Sequence, residues 1–426
     1  DNKLAGDAAW NYGAFAIMAG TGVILNFFIA AHFGTAALGV FNQIYAVYIV
    51  SAQLAVFGIH DSAQKYIAQH SNDAGVRQTV ARTAVIAAAG FGIVVAALVG
   101  LCADLIGHIA QSQPVGLGVA MAAPGLLFFA INKVLMGILN GERRMRAFAL
   151  VQGVRVLSIL GFAFLTAYQG WPAYVLGAGF TVAEAIIFVP LLVLVRPWRM
   201  DGEVRAGTRE WLRRHLDFGA KALPNGFLAE SYVRVDVLML AVFVDDAAVG
   251  IYSFAAMFIE GLYQVPVVIR TVVNPVLVKL IGDGDKSALG RFGRRIMVIS
   301  IVIFIAAAGA VHLVFPHLAP YFPEGLVAGA APVLLILTFG LGFYAAFVPL
   351  DFILMQAGMP GRQSVLMTMN IAINIGLNLA LIPIYGIEGA AMATATAFVL
   401  SALTLNAAVW RWLALPGGLL FGGRQG

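Results

Sequence analysis

Twelve apolar runs, each long enough to cross a lipid bilayer as a helix, take up most of this chain. They fall at roughly 8–31, 36–58, 79–106, 114–138, 147–169, 171–195, 218–243, 247–276, 294–315, 328–356, 364–384 and 386–414. A spanning helix needs about 20 apolar residues, so little length is left for a soluble domain. The bilayer core offers no water to backbone groups, which favours helices over an open sheet. A membrane barrel would show alternating segments of about ten residues, and these runs are longer and unbroken. The chain therefore reads as an all-α integral membrane protein.

The lysines and arginines check the count. Of 26, 20 lie at the N-terminus, in or at the edges of the even-to-odd loops (2–3, 4–5, 6–7, 8–9, 10–11), or at the C-terminal end. The odd-to-even loops hold none. The other six, Arg82, Lys133, Arg155, Lys221, Arg234 and Arg270, lie within spans. Basic loops stay cytoplasmic during insertion, and a wrong span count would break the alternation. Both termini are expected on the cytoplasmic side. The net charge of +5 comes from inside loops that face anionic headgroups, so it does not point to nucleic acid. Cys102 is the only cysteine, and no intrachain disulfide is possible. The first apolar stretch is span-length without a convincing cleavage site, so no cleavable signal peptide is expected.

The longest hydrophilic stretch joins spans six and seven. It divides the chain into an N-terminal six-helix bundle (1–195), a linker (196–217) and a C-terminal six-helix bundle (218–426). Trp211, Leu212 and Leu216 among the linker arginines fit an amphipathic helix on the cytoplasmic surface. A plain solvated linker fits equally well. The halves repeat weakly. Ala36-Ala37-Leu38-Gly39-Val40-Phe41 opens span two, and Ala247-Ala248-Val249-Gly250-Ile251-Tyr252 opens span eight. Gly170-Trp171-Pro172-Ala173 and Gly386-Ile387-Glu388-Gly389 enter spans six and twelve. Spans six apart cross in the same direction, so the repeat is parallel, with its axis along the membrane normal.

Ionisable groups inside a span are costly and usually face a cavity or a partner. Arg82, Lys133 and Lys221 are near enough to a cytoplasmic end to snorkel. Asp351 also lies near a cytoplasmic end. Arg155, Glu184, Glu230, Arg234 and Glu260 lie deeper, where a water-filled cavity is expected rather than lipid, and Arg270 is intermediate. Span seven carries Lys221, Asn225, Glu230, Arg234 and Asp236. Glu230 and Arg234 are four apart and can pair, either as a neutralising salt bridge or as a proton- or substrate-sensitive pair. Span eight holds Glu260, Tyr263, Gln264 and Arg270 with Pro266 and Pro275, which can kink it. Asn370, Asn374 and Asn378 form a stripe on span eleven. Such a stripe glues helices together or binds sugar hydroxyls. The alanines of span twelve, among them Ala390, Ala391 and Ala393, read as close helix packing.

No phosphate-cradling Gly-x-x-x-x-Gly-Lys-Ser/Thr loop is present, which argues against ATP-driven transport by this chain. The histidines show no metal-site spacing, and Gly282-Asp283-Gly284-Asp285 lacks the full calcium-loop pattern. No cofactor or metal is expected. The outside loops are short and poor in acids, bases and cations. That argues against a membrane glycosyl- or phosphotransferase acting on that face, and residues 196–217 lack carboxylates with metal spacing.

Twelve helices in two parallel halves, the Ala-Ala-Leu-Gly-Val-Phe opening of span two, and Tyr385-Gly386-Ile387-Glu388-Gly389-Ala390-Ala391 between spans eleven and twelve resemble the MATE-like (MOP) exporter superfamily. Within it the chain is most similar to the polysaccharide transporters, or Wzx-type flippases. The peptidoglycan-precursor flippases generally have fourteen helices, which disfavours that branch. The resemblance implies twelve transmembrane helices in two six-helix bundles related by a parallel pseudo-repeat. It implies transfer of an undecaprenyl-pyrophosphate-linked oligosaccharide from the cytoplasmic to the outer leaflet of the bacterial inner membrane, by alternating access coupled to an ion gradient. The lipid tail would pass through a lateral gap that the family places between spans one and eight. By analogy Arg155, Arg234 and Arg270 would meet the pyrophosphate, with Lys221, Lys133, Asn370 and Asn374 as further substrate contacts. Glu230, Glu184 and Glu260 would be coupling acids. The implied partners are the lipid-linked oligosaccharide, membrane lipids and a polysaccharide polymerase in the same membrane. The spans' near balance of basic and acidic residues departs from a strongly cationic flippase cavity. It keeps a MATE-type antiporter of organic cations or metabolites as the alternative, with the three glutamates as its cation site.

Overall fold

A computed structural model describes residues 2–198, 207–415 and 417–421, with side chains except at 2–12, 14–15, 224–233 and 421. Among the described residues there is no strand. The first helices are α1 (Asn2–Phe33), α2 (Thr35–Val56), α3 (Ile59–Gln69), α4 (Ala74–Leu101), α5 (Ala103–Ile109), α6 (Gln113–Gly141), α7 (Met145–Tyr168) and α8 (Ala178–Val195). The rest are α9 (Thr208–Phe243), α10 (Asp246–Gly282), α11 (Lys286–Val314), α12 (Leu326–Ala345), α13 (Ile353–Gln356), α14 (Pro360–Trp412) and α15 (Gly418–Phe421).

Ten helical segments are long and apolar enough to cross a membrane among the described residues. α14 has 53 residues, about 80 Å at 1.5 Å per residue, far more than a bilayer core of about 30 Å. It is broken at Gly386, whose φ of 57° and ψ of −131° are non-helical. That combination is open to glycine alone among common residues. The limbs 360–385 and 387–412 are therefore two crossings. With α9, which contains the apolar run of span seven, the described helices accommodate the twelve crossings that the charge alternation requires.

The helices begin where local chemistry favours it. Asp73 caps α4, its carboxylate accepting from the Val76 N–H at 3.0 Å. Ser112 caps α6 in the same way, with proline in the first turn. α10 runs through Pro266 and Pro275 as one helix.

The chain divides into two compact units. The first comprises residues 1–234 with 245–247, and the second 235–244 with 248–426. The division thus falls inside α9 rather than at the linker. In the first unit α6 is the central helix, packed by α2, α3, α4, α5 and α8. Leu126, Val134, Leu135, Met136 and Leu139 on it are almost fully buried. In the second unit α12 packs along α14. A buried cluster around Leu277, Leu350, Ile353, Leu354 and Val409 closes one end. Large apolar residues such as Leu101, Val189, Phe339 and Ile384 remain exposed, as lipid-facing surface requires.

The linker's helical part begins at Thr208 and continues without a break into span seven. It is amphipathic: Arg209, Arg213 and Arg214 are exposed, Trp211, Leu212 and Leu216 are half-buried, and His215 is buried. Its inner face turns onto α3, with Trp211 edge-on to Tyr66 at 5.3 Å and to His70 at 5.4 Å. Gly219 meets the Phe57 carbonyl at the α2–α3 turn so closely that a Cβ there would collide with it. Residues 199–206 of the expected linker lie outside the described residues.

Candidate functional site

In the first unit, Arg155 on α7 and Glu184 on α8 form an ion pair, with Nε 2.8 Å from Oε1 and side chains only 12% and 4% exposed. Asn132 on α6 donates to the Glu184 carboxylate and to its carbonyl, both at 2.8 Å. Arg155 also donates to the Gln152 amide oxygen at 3.0 Å and stands 5.1 Å from the Phe129 ring centre. The sequence gives these two charges separate roles, as headgroup ligand and coupling acid, but they are one another's partners. Opening such a pair leaves an unmatched buried charge, which is strongly unfavourable.

Arg234 on α9 lies with its guanidinium 4.7 Å from the Tyr45 ring centre. Tyr45 belongs to an aromatic stack with Phe41 and Phe180. The side chain of Glu230, the neighbour expected to pair with Arg234, lies outside those described, as does that of Asn225. Lys221 is exposed on α9 and Lys133 half-buried on α6.

In the second unit, Arg270 on α10 donates from Nη1 to both Asp351 oxygens, at 3.1 and 2.9 Å, and stacks over Phe352 at 4.6 Å. It is therefore a second paired charge. Glu260 is exposed on α10. Asn370 accepts from the Thr404 hydroxyl at 3.4 Å.

A different carboxylate emerges as the centre of this unit. Asp236 on α9 is 9% exposed. The Tyr252 hydroxyl of α10 donates to its Oδ2 at 2.7 Å, and the Thr394 hydroxyl donates to the same oxygen at 2.6 Å. The Asn378 amide donates to Oδ1 at 2.9 Å and to the Asn374 side-chain oxygen at 3.1 Å. Asn374 in turn donates to the Thr394 hydroxyl oxygen at 3.1 Å. Asn374 and Asn378 precede the Gly386 kink and Thr394 follows it, so one carboxylate ties both limbs of α14 to α9 and α10.

Each of these partners is neutral, and no basic side chain pairs with Asp236 among the described residues. The Asn378 Oδ1 atom is buried without a hydrogen-bond partner. A buried carboxylate among hydroxyl and amide oxygens is a donor set for a proton or a hard cation. No group of three His, Cys, Asp or Glu residues capable of holding a metal occurs among the described residues. The sequence names Asp236 in span seven without a role and gives Asn374 to the substrate. The asparagine spacing in span eleven was the legible signal, and the residue it serves lies far away in sequence.

The first turns of α9 carry a second polar centre, outside the spans. Buried His215 lies with Nδ1 2.7 Å from the Ser62 hydroxyl of α3 and Nε2 3.2 Å from the Val80 carbonyl. Burial pushes its pKa down from 6.5 to about 4, with the Val80 contact opposing. On α3, His60 is also lowered to about 4, first by burial and then by Lys133, with Asp61 opposing.

Known proteins agree with this architecture. A family model described as polysaccharide biosynthesis protein matches residues 4–281, and a MatE model matches residues 226–384. A search of curated protein sequences finds no match. Among solved structures, a lipid II flippase MurJ in an inward closed conformation aligns with a TM-score of 0.77 at 15% identity, covering 94% of this chain and 87% of that one. An inward-facing multidrug resistance MATE family transporter of the MOP superfamily aligns with a TM-score of 0.76 at 14% identity, covering 91% and 92%. A MOP superfamily transporter from Pyrococcus furiosus, described as having a binding pocket of reverse polarity, aligns with a TM-score of 0.62 at 16% identity, covering 93% and 94%. At such identities the likeness speaks for the fold. The first family model spans well over half of the chain, and the chain accordingly belongs to the polysaccharide biosynthesis protein family, as a multi-pass membrane protein with the MATE-like fold of MOP superfamily transporters and flippases.

Proposed function

We propose that this chain is a flippase that moves an undecaprenyl-pyrophosphate-linked oligosaccharide from the cytoplasmic to the outer leaflet of the bacterial inner membrane. The observation that carries the reading is the polysaccharide-biosynthesis match over residues 4–281. The resemblance to a lipid II flippase in fold agrees with it. The protein acts as a transporter, not an enzyme, and works by alternating access. Its charge alternation supports a topology with both termini in the cytoplasm. A polysaccharide polymerase in the same membrane would take up the delivered unit.

Arg234 is a candidate for the pyrophosphate together with Arg155 and Arg270, and all three guanidinium groups lie over aromatic rings. Arg155 and Arg270 each hold a carboxylate, so either would meet the headgroup only by exchanging that partner for it. Asp236 is the proposed coupling group. Binding a proton or monovalent cation there neutralises a buried carboxylate whose described partners are neutral. It also alters the hydrogen bonds that join the two limbs of α14, a local charge change acting on a kinked element.

The test is transport in proteoliposomes loaded with labelled lipid-linked oligosaccharide under imposed proton and sodium gradients. The reading requires gradient-dependent flipping by the wild type that Asp236→Asn loses. Flipping by neither protein removes the substrate assignment. Equal flipping by both removes Asp236 from coupling.

A second reading is a cation-coupled antiporter of organic cations. The MatE match over 226–384 favours it, since that segment contains Asp236. It predicts export of a cationic dye by the same vesicles and no movement of the lipid-linked sugar.

A further inference from the structure

On the face that carries the basic loops, the first unit holds a cavity of about 500 Å³ that the transport reading does not use. The starts and ends of three spanning helices form it: α4 contributes Arg77 and Gln78, Glu142 caps the end of α6, and Arg196 caps the end of α8. Arg144, from the turn after α6, completes the polar lining. The lining therefore holds three guanidinium groups and one carboxylate. The Glu142 carboxylate is 3.9 Å from Arg77 and 3.5 Å from Arg144. Neither is a tight bidentate pair. Arg144 spends its best contact on the Leu194 carbonyl at 2.8 Å, and Arg196 donates from Nε to the Val193 carbonyl at 3.1 Å. The Arg77 Nε atom is buried with no hydrogen-bond partner.

We propose that this cavity binds a phosphate-bearing anion and that its occupant is the headgroup of an anionic phospholipid. A guanidinium fork matches phosphate oxygens, and an unspent buried N–H beside surplus positive charge calls for an anionic acceptor. The size separates a headgroup from a bare ion. The cavity falls in the range of small-molecule sites, about 300–1,000 Å³, and would leave a lone phosphate loosely held. Val193, Val195 and Ile138 add apolar lining suited to glycerol and the first acyl carbons. The position matches too, because charge alternation puts these helix ends at the cytoplasmic leaflet, where anionic lipids concentrate. The site would hold for either transported substrate.

The experiment titrates the full-length protein in neutral detergent with dihexanoyl phosphatidylglycerol, dihexanoyl phosphatidylcholine and inorganic phosphate. Wild type is compared with Arg77→Gln/Arg196→Gln, and a thermal melt checks the fold. Arg144 is left in place because it caps α8. Saturable binding of phosphatidylglycerol, at least tenfold weaker in the variant and absent for phosphatidylcholine, is the expected result. Inorganic phosphate that binds as tightly as phosphatidylglycerol, and loses as much in the variant, would keep the anion site but overturn the headgroup as its occupant. No saturable binding of either anion, or binding equal in the variant, overturns the site. Hydrogen exchange on the wild type gives a reading that needs no variant. Phosphatidylglycerol should slow exchange at residues 74–78 and 193–198, and unchanged exchange there at saturating lipid overturns the proposal.

Discussion

The Thr394 hydroxyl donates to the Asp236 carboxylate at 2.6 Å and so fixes span seven to the limb of α14 beyond Gly386. The same carboxylate accepts from Asn378 on the nearer limb at 2.9 Å. If Asp236 is the coupling group, Asp236→Asn keeps the size and loses the titratable charge. We expect gradient-driven transport to fall at least tenfold, with the residual rate indifferent to the imposed gradient. A rate that still follows the gradient would place coupling elsewhere. Thr394→Val removes one donor to this anion and should lower stability by about 1.5–3 kcal/mol, read as a shift in thermal unfolding in detergent.

The Arg155–Glu184 pair predicts a sharply non-additive mutant cycle. Arg155→Met alone or Glu184→Gln alone should destabilise the protein by about 3–5 kcal/mol, because each leaves a buried group without its partner. The double variant should lose less than either single one. Additive losses would mean that the two side chains act independently.

Gly386 predicts a backbone effect without any contact. A Cβ at this position meets nothing within 4 Å, so space is not the constraint. Its φ of 57° with ψ of −131° is the constraint, and Gly386→Ala should cost on the order of 1–3 kcal/mol. The limbs should also realign, weakening the approach of Thr394 and Asn374. A melt and transport rate unchanged from wild type would show that alanine is accommodated there.

His215 predicts a pH-sensitive attachment of the start of α9. Its folded pKa of about 4 lies below the unfolded 6.5, so the unfolded state binds the extra proton. The contact is fully present above about pH 6.5 and is lost as pH falls toward 4, at a total cost on the order of 3 kcal/mol. The Ser62 and Val80 contacts should open first, with Trp211 moving away from Tyr66 and His70. Trp211 fluorescence in a background lacking the other tryptophans, together with cleavage at Arg213 and Arg214, measures this. His60 titrates over the same range, so the His215→Asn variant is needed as the control. A signal with the same pH dependence in that variant would assign the transition to another group.

The number of crossings was legible because two independent patterns, apolar length and the placement of Lys and Arg, had to agree. Even the Gly386 break was readable, since Tyr385-Gly386 separates two span-length runs. The inner partnerships were not. Glu184 and Arg155 are 29 positions apart, and Asp236 and Asn378 are 142 apart. Helical periodicity places a residue on a face but does not say which distant helix meets that face. The asparagine stripe signalled a polar contact, and only the packing of α9 and α10 against both limbs of α14 reveals the carboxylate it serves. His215 was hidden for another reason. In sequence it sits among exposed arginines, and its burial comes from the docking of α9 on α3, a helix that lies in what hydropathy reads as a loop.

Direct binding to the purified protein tests the flippase account most plainly. A labelled polyprenyl-pyrophosphate oligosaccharide and an organic cation dye are titrated in parallel against wild type and Arg234→Ala. The account predicts saturable binding of the lipid-linked sugar that weakens at least tenfold in the variant, and no saturable dye binding. Dye binding that survives the variant, with no binding of the lipid-linked sugar, would contradict it and make this chain a cation antiporter.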